Sequence, residues 1–479
     1  MGYIAAALNR NGEDASAAVD KMLRNAGRAP SIYYGYASHD QAEHHNHLPE
    51  FTSVTSDTVI GYRAITPKDY PPQPLTQRSG SLCVNAGFIG EEQPETLFIA
   101  NILEDNPLKG LKMLMGAQGH HTVVHISPGR ILCSRDPVGT QPLYISGNSD
   151  LCAAASNKKM LWSLGLRPIP LKPGHIVNMT TTGTHNVEVA TLRRPEPIAG
   201  HSVTILEALD KKLKDAVIDT SRRIKKGTLA FSGGIDSTLT ALYMRDAGII
   251  LDLVCVGVES QEEYKHAQIA ADSLGMEVQI RQITLNELEA AIPEVIRGVE
   301  DYDPLQVSVA APLYFVAMSA SENGHETIFT GNGSDEVFGG YQKYHAAYLK
   351  NPAVAEEMMF RDVSQSWANN FDRDTKTCAD LGLNLVQLFT NPQVIDYGLR
   401  IPIELKLSKN LNQPRKTILR SLGQIHDLPE DVYARPKKAA QYSTGVHRAM
   451  KRLAKRRGLS LGGYLLRMYS EIQREYTNA

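Results

Sequence analysis

The sequence predicts an α/β protein made of two unlike halves, on three observations. Up to about residue 195, short apolar stretches broken by turn residues read as strands of stacked sheets. From about 203, apolar strands alternate with helix-length segments, the pattern of a parallel sheet with helices on both faces. The last hundred or so residues read as mainly helical.

In the first half the strands are TVIGYRAIT, GSLCVNAGFIG, HHTVVHISPG, RILCSRDPVGTQPLYISG and GHIVNMTTTG, with helical stretches at SAAVDKMLRNAG and PETLFIANIL. RRPEPIAGHS, rich in proline and polar residues, reads as a linker, so the expected domains are 1–195 and 203–479. In the second half KGTLAFS is a strand and STLTALYMRDAG a helix ending in glycine. LDLVCVGV, EVQIRQIT and HETIFTG continue the strands, with the helix EEYKHAQIAADSLG between the first two.

The composition narrows the function classes. Fifty Lys plus Arg against fifty-two Asp plus Glu leave a net charge of −2, so whole-protein electrostatics gives no reason to expect nucleic acid or a membrane surface as partner. Apolar residues at 42% and charged ones at 21% provide a sizeable core. Five scattered cysteines without a CxxC argue against a disulfide framework or zinc knuckle and for a reducing compartment. No apolar run is read as approaching the roughly 20 residues of a membrane span, and the start lacks the pattern of a signal peptide. Ala6 stands where N-myristoylation wants Ser or Thr. A soluble cytoplasmic protein is expected.

The chemistry concentrates in two glycine-rich loops. Phe231-Ser232-Gly233-Gly234-Ile235-Asp236-Ser237 lies between a strand and a helix. Adjacent glycines let the backbone turn tightly and approach a ligand. The helix that starts there aims free N–H groups and its positive dipole end at whatever the loop holds, which favours an anion. Ser232 and Ser237 add hydroxyls, and the Lys-Ser/Thr of a Walker loop is missing. Alone, Ser-Gly-Gly could be a simple turn. But Thr330-Gly331-Asn332-Gly333-Ser334-Asp335-Glu336 follows a second strand, and parallel strands open onto one edge, where ligands bind. Asp236 and Asp335 would then face each other across a triphosphate and could share Mg²⁺.

SGGIDS with GSDEVFGGY resembles the ATP-pyrophosphatase synthetase domain of the asparagine synthetase family. Further matches are KTILR at Lys416 to Arg420, Leu428-Pro429, and the run from Arg435 to Gly445. Tyr62-Arg63, Gln73 to Leu75 and Ser134 to Tyr144 resemble that family's glutaminase-like domain. The resemblance implies an N-terminal Ntn-hydrolase-like αββα domain before a Rossmann-like ATP-pyrophosphatase domain with a helical C-terminal part. It also implies ATP and Mg²⁺ as cofactors. A carboxylate, by default aspartate, would attack the α-phosphorus, releasing pyrophosphate and giving an acyl-adenylate for ammonia or an amine to open. On this reading Ser232, Gly233, Gly234, Ser237, Gly331, Gly333 and Ser334 hold ATP and pyrophosphate, and Asp236 and Asp335 the metal. Val256, Gly257 and Val258 meet adenine with backbone groups. Lys437 and Lys438 are the catalytic cations. A homodimer is left open.

The sequence also departs from the family. Glutamine-hydrolysing members carry a cysteine nucleophile where this chain has Gly2, followed by Tyr3, and a glycine cannot form the thioester. Arg63 and Asn85 fall at the glutamine-site positions, but Asn-Gly-Glu reads Asn85-Ala86-Gly87. The domain is expected to be a glutaminase relic. Asn332 stands where asparagine synthetases often have Glu, and Asn384 where a lactam-forming relative places a base; asparagine cannot serve as one. Amine-dependent or intramolecular ligation, as in β-lactam synthetases and lasso-peptide cyclases, and a non-catalytic nucleotide-binding protein are the alternatives. The histidines His44, His45 and His47 read as a polar loop, and His120-His121 as a strand edge. The basic run Arg448 to Arg457 reads first as a solvated helix face and second as an RNA or acidic-partner contact.

Overall fold

The computed structural model describes residues 2–478 except 31–32, 65–70, 88–93, 117–118, 259–260, 411–414 and 437–442. Its first strand, β1 (Gly2–Asn9), is absent from the expectations above. The reason is physical: GYIAAALN is buried on both faces, so it shows no period-two alternation of apolar and polar residues. One antiparallel sheet joins β1 to β2 (Tyr33–Ala37), β3 (Ala42–His45), β4 (Thr58–Ala64), β9 (Tyr144–Gly147), β10 (Leu151–Ala155) and β11 (Ile169–Pro170). The other contains β5 (Leu75–Gln77), β6 (Gly80–Gly87), β7 (His120–Ser127), β8 (Arg130–Arg135), β12 (His175–Thr180) and β13 (Thr184–Glu188).

Ile4, Leu8, Ile60, Cys83, Val124 and Val177 fill the space between the sheets. The odd-numbered residues of β1, Tyr3, Ala5 and Ala7, face the other way, onto α1 (Ser16–Arg24). Helices α2 (Glu95–Leu103) and α3 (Pro107–Leu114) cover the second sheet, and α4 (Lys158–Trp162) joins α1 on the first. This is an αββα layering. The segment RILCSRDPVGTQPLYISG divides into β8 and β9, which belong to different sheets. Asp136 turns the chain between them by accepting hydrogen bonds from the N–H groups of Val138 and Gly139. His120 and His121 are buried at the start of β7, at the edge of that strand, which lies between β6 and β8. His44 and His45 belong to strand β3, not to a loop.

Residues 189–201 carry neither helix nor strand. Beyond them, α5 (Ser202–Arg223) leads into a five-stranded parallel sheet, ordered β16-β15-β14-β17-β18. Its strands are β14 (Lys226–Ala230), β15 (Ile250–Gly257), β16 (Val278–Gln282), β17 (Thr327–Thr330) and β18 (Asn384–Gln387). Along β15, Leu253 and Cys255 pack against α5, α6 (Ile235–Asp246) and α7 (Gln261–Ser273). Val254 and Val256 pack on the opposite face with α8 (Leu285–Val299) and α9 (Pro304–Glu322). Helix α9 is apolar and long enough to cross a membrane, which corrects the expectation that no run approaches that length. It is mostly buried here as a core helix.

The chain continues through α10 (Ser334–Phe338), α11 (Gln342–Lys350) and α12 (Pro352–Ser366), and a wide helical turn at Trp367–Phe371 leads into α13 (Asp372–Asp380). After β18 come α14 (Pro392–Arg400), α15 (Thr417–Ile425), α16 (Glu430–Tyr433), α17 (Val446–Arg456) and α18 (Leu461–Asn478). Helix α13 reads DRDTKTCAD, as polar as a surface helix, yet every one of its residues is buried. The N-terminal half covers it with matching charges. Asp372 pairs with Arg135 and accepts from the Tyr144 hydroxyl, while Lys376 donates to Tyr144 and Glu300. Asp380 receives Lys159 and Arg28. Burial alone would raise its pKa, but these two cations hold it below the usual carboxylate range.

Candidate active site

Strands β14 and β17 are parallel neighbours, with Thr228 opposite Ile328 and Leu229 opposite Phe329, so the two glycine-rich loops leave the same edge side by side. In the first loop Gly233 has φ of +66°, and a Cβ there would lie 2.6 Å from the His266 carbonyl oxygen of α7. No residue with a side chain suits that point. The hydroxyls of Ser232 and Ser237 lie 3.2 Å apart, and Ser232 Oγ accepts the Gly234 N–H, which shapes the turn before α6 begins.

What joins the loops is Lys416. Its Nζ lies 2.6 Å from Asp236 Oδ2, 2.6 Å from Asp335 Oδ1 and 2.9 Å from Ser334 Oγ, and the residue is fully buried. Asp236 and Asp335 are thus brought together, around a lysine that sequence reasoning had matched to a motif without giving it a role. Gly340 makes room for this contact: a Cβ there would stand 1.8 Å from Asp335 Oδ1 and 2.4 Å from Lys416 Cε. Beside the pair, Glu336 accepts from the Tyr341 hydroxyl at 2.6 Å and Asn370 Nδ2 at 2.7 Å. Burial and then the Asp335 charge push its pKa up. Arg415 and Arg420 add positive charge next to the two aspartates. Burial lowers the Arg420 pKa to about 10, against the pull of Asp236.

Two further anchors lie along the same edge. Arg435 donates to the Ser232 carbonyl at 3.1 Å and pairs with Glu263 of α7. The Thr444 carbonyl accepts the Val258 N–H at 2.7 Å. Lys437 and Lys438 fall between these anchors and lie outside the described residues. Val256 and Gly257 end β15 at the site edge and Val258 follows, with much of their backbone hydrogen-bonded. The Gly257 carbonyl receives the Tyr264 hydroxyl and the Ile283 N–H, and Val258 N–H is held by Thr444.

On the other side of the loops, exposed Asn332 donates through Nδ2 to Asp374 Oδ2 at 2.7 Å. Asp374 also pairs with Arg373 and receives Gln387 Nε2 at 3.4 Å. Asn384 does not take part. It opens β18, opposite Thr327, at the far end of the parallel sheet, and the residue of that strand at the site edge is Gln387. Gly333 and Gly331 flank Asn332, with Gly331 packed on the backbone of Asp236.

In the N-terminal half Asn85 and Arg63 make separate sets of contacts. Asn85 holds the backbone of Gly2, accepting its N–H at 3.1 Å and donating to its carbonyl at 2.7 Å. Arg63 pairs with Tyr3 in the strand register and so shares its face, toward α1. There it donates to the carbonyls of Leu23 and Ala29 and lies over the rings of Tyr3 and Tyr34. Asn85 works on the inner face of the sheet and Arg63 on the outer. The space a side chain at position 2 would need is filled, because a Cβ would lie 2.4 Å from Tyr62 Cζ.

Among the described residues no group of three or more His, Cys, Asp or Glu side chains is placed to hold a metal. The basic run lies on α17, with Arg448, Lys451, Arg452, Lys455 and Arg456 exposed while Val446, Met450 and Leu453 are buried.

The asparagine synthase family model matches residues 208–370 and 348–463, more than half of the chain. A putative glutamine-hydrolysing asparagine synthetase of Methanocaldococcus jannaschii is 26% identical over 387 residues, covering 68% of this chain and 69% of its own. The glutamine-hydrolysing asparagine synthetase of Homo sapiens is 28% identical over 352 residues, covering 66% of this chain and 61% of its own. A probable one from Dictyostelium discoideum is 26% identical, covering 66% and 60%. The chain thus spans about three-fifths of the length of the last two.

Proposed function

Because this chain belongs to the asparagine synthase family, we propose that it is an ATP-dependent carbon–nitrogen ligase, forming an acyl-adenylate and passing the acyl group to ammonia. The default carboxylate is aspartate. The observation that carries this reading is the meeting of two glycine-rich loops, each with an aspartate, at the ends of adjacent parallel strands. Ser232, Gly233, Gly234 and Ser237 would line the departing pyrophosphate, with the start of α6 aimed at its charge. Gly331, Gly333 and Ser334 would close the other side. Arg415, Lys416 and Arg420 oppose the negative charge that develops on the leaving group. Two carboxylates on one point are a donor set that suits magnesium, so Asp236 and Asp335 would hold Mg²⁺, which supplies further neutralisation of the phosphates. Lys437 and Lys438, between the Arg435 and Thr444 anchors, would stabilise the transition states of adenylation and amide formation.

Ammonia itself, not glutamine, is the nitrogen source in this reading, because position 2 offers neither thiol nor room. An amine acceptor is the second reading, favoured by the acid Asp374 beneath the exposed Asn332. Product analysis with Mg-ATP, aspartate and either ammonium or glutamine tests these proposals. AMP, pyrophosphate and asparagine from ammonium alone are expected, and Asp236→Ala abolishes them. Asparagine from glutamine would overturn the nitrogen source. Absence of AMP with aspartate and with a panel of other carboxylates would overturn the ligase.

A further inference from the structure

Lys416 is unusual in three independent ways. It is fully buried, it has a left-handed backbone (φ of +63°) although it is not glycine, and its ammonium contacts both aspartates of the two loops. A side chain other than glycine adopts that backbone at a cost, and persists there only where its surroundings impose it. Here the surroundings do. The Thr417 N–H is held by the Lys406 carbonyl, the Arg420 N–H by the Lys416 carbonyl, and Gly340 leaves the space through which the lysine reaches Asp335.

We infer that Lys416 is a resident internal cation that holds Asp236 and Asp335 together in the nucleotide-free protein and denies them to a free divalent ion. The inference rests on the ATP-binding reading above and deepens it. Two carboxylates brought this close repel each other unless a cation lies between them. A lysine tied to the chain supplies one charge at no cost in translational entropy, so a free ion must displace it to bind. A metal that arrives with a polyphosphate is in a different position, because its phosphate oxygens offer Lys416 a new partner as the ion takes the carboxylates. The lysine then assists the leaving group instead of competing with the metal. On this arrangement the site stays assembled while empty, and metal and nucleotide enter together.

The test needs no nucleotide and no carboxylate substrate. The full-length protein is titrated with Mn²⁺, the probe ion, and the free aqueous Mn²⁺ signal is read by electron paramagnetic resonance. Wild type is expected to bind weakly, and Lys416→Met at least about tenfold more tightly, because the ammonium that bridges Asp236 and Asp335 is then gone and the ion has no resident charge to displace. The gain disappears in Lys416→Met combined with Asp236→Asn. Thermal unfolding adds a second readout: Lys416→Met should melt lower than wild type in EDTA and recover with Mn²⁺. Lys416→Gln, closer in shape, is measured in parallel in case the methionine variant does not fold. Tight nucleotide-free binding by wild type that Asp236→Asn removes would overturn the inference. So would folded variants with no gain in Mn²⁺ affinity, or variants that stay unfolded with and without Mn²⁺. Absence of ligase products would not move these arms, and product formation without the Mn²⁺ gain would defeat this inference alone.

Discussion

At the scale of a single residue, position 2 leaves no room for a side chain. Gly2 is held by both ends of the Asn85 side-chain amide, whose oxygen accepts its N–H and whose nitrogen donates to its carbonyl, and the ring of Tyr62 fills the volume where a side chain would project. Restoring the nucleophile should therefore fail: Gly2→Cys is expected to release no glutamate from glutamine and to melt lower than wild type, since overpacking of this kind costs about 1–3 kcal/mol. Glutamate release by that variant would show that Tyr62 yields. The missing thiol was legible in the sequence, because it needs only the identity of one residue. That Arg63 and Asn85 serve opposite faces of a sheet was not legible, because β1 itself went unrecognised and with it the register that pairs Tyr3 with Arg63.

At the scale of the element, α13 is the most informative. Its composition would place it on the surface, but the N-terminal half buries it through Arg135, Tyr144, Lys159 and Arg28. Two residues beyond Asp372 on the same helix, Asp374 accepts from Asn332 in the second loop, so the covering N-terminal half supports the element that flanks the site. Breaking a buried pair leaves a charge without its partner, at about 3–5 kcal/mol. Asp372→Asn should accordingly lower the melting temperature by many degrees. Adding Arg135→Met should cost less than the sum of the single changes, because no unpaired guanidinium remains. An unchanged melting temperature in Asp372→Asn would remove the structural role assigned to the pair. Periodicity analysis cannot find such a helix, since it assumes that polar residues face water.

Across the whole molecule, stability should carry the mark of one buried amine. Lys406 lines a cavity together with Arg194, Glu356, Met359 and Phe360, and burial, only partly offset by Glu356, lowers its pKa from 10.5 to about 7. Between those values the unfolded chain binds the proton more fully than the folded one, so this group makes stability rise with pH across that window. Lys406→Met should be more stable than wild type near neutral pH and should show a shallower rise in melting temperature between about pH 7 and 8.5, a comparison in which the cysteines, common to both proteins, cancel. Equal slopes for the two proteins would show that the amine keeps its proton on folding.

The sequence by itself determined the two-part α/β organisation, the two loops with Ser232, Gly233, Gly234, Asp236, Gly331, Gly333 and Asp335, and the absence of a thiol at position 2. These are local matters: a strand, a turn that tolerates only glycine, and a side chain that is or is not a thiol. Only the tertiary structure decided that Lys416 joins the loops, that Gln387 and not Asn384 stands at the site edge, and that α13 is interior. The physical reason is sequence distance. Lys416 lies 180 positions from Asp236 and Arg135 lies 237 from Asp372, and nothing in local periodicity or propensity reports which distant charges the packed sheets bring into contact.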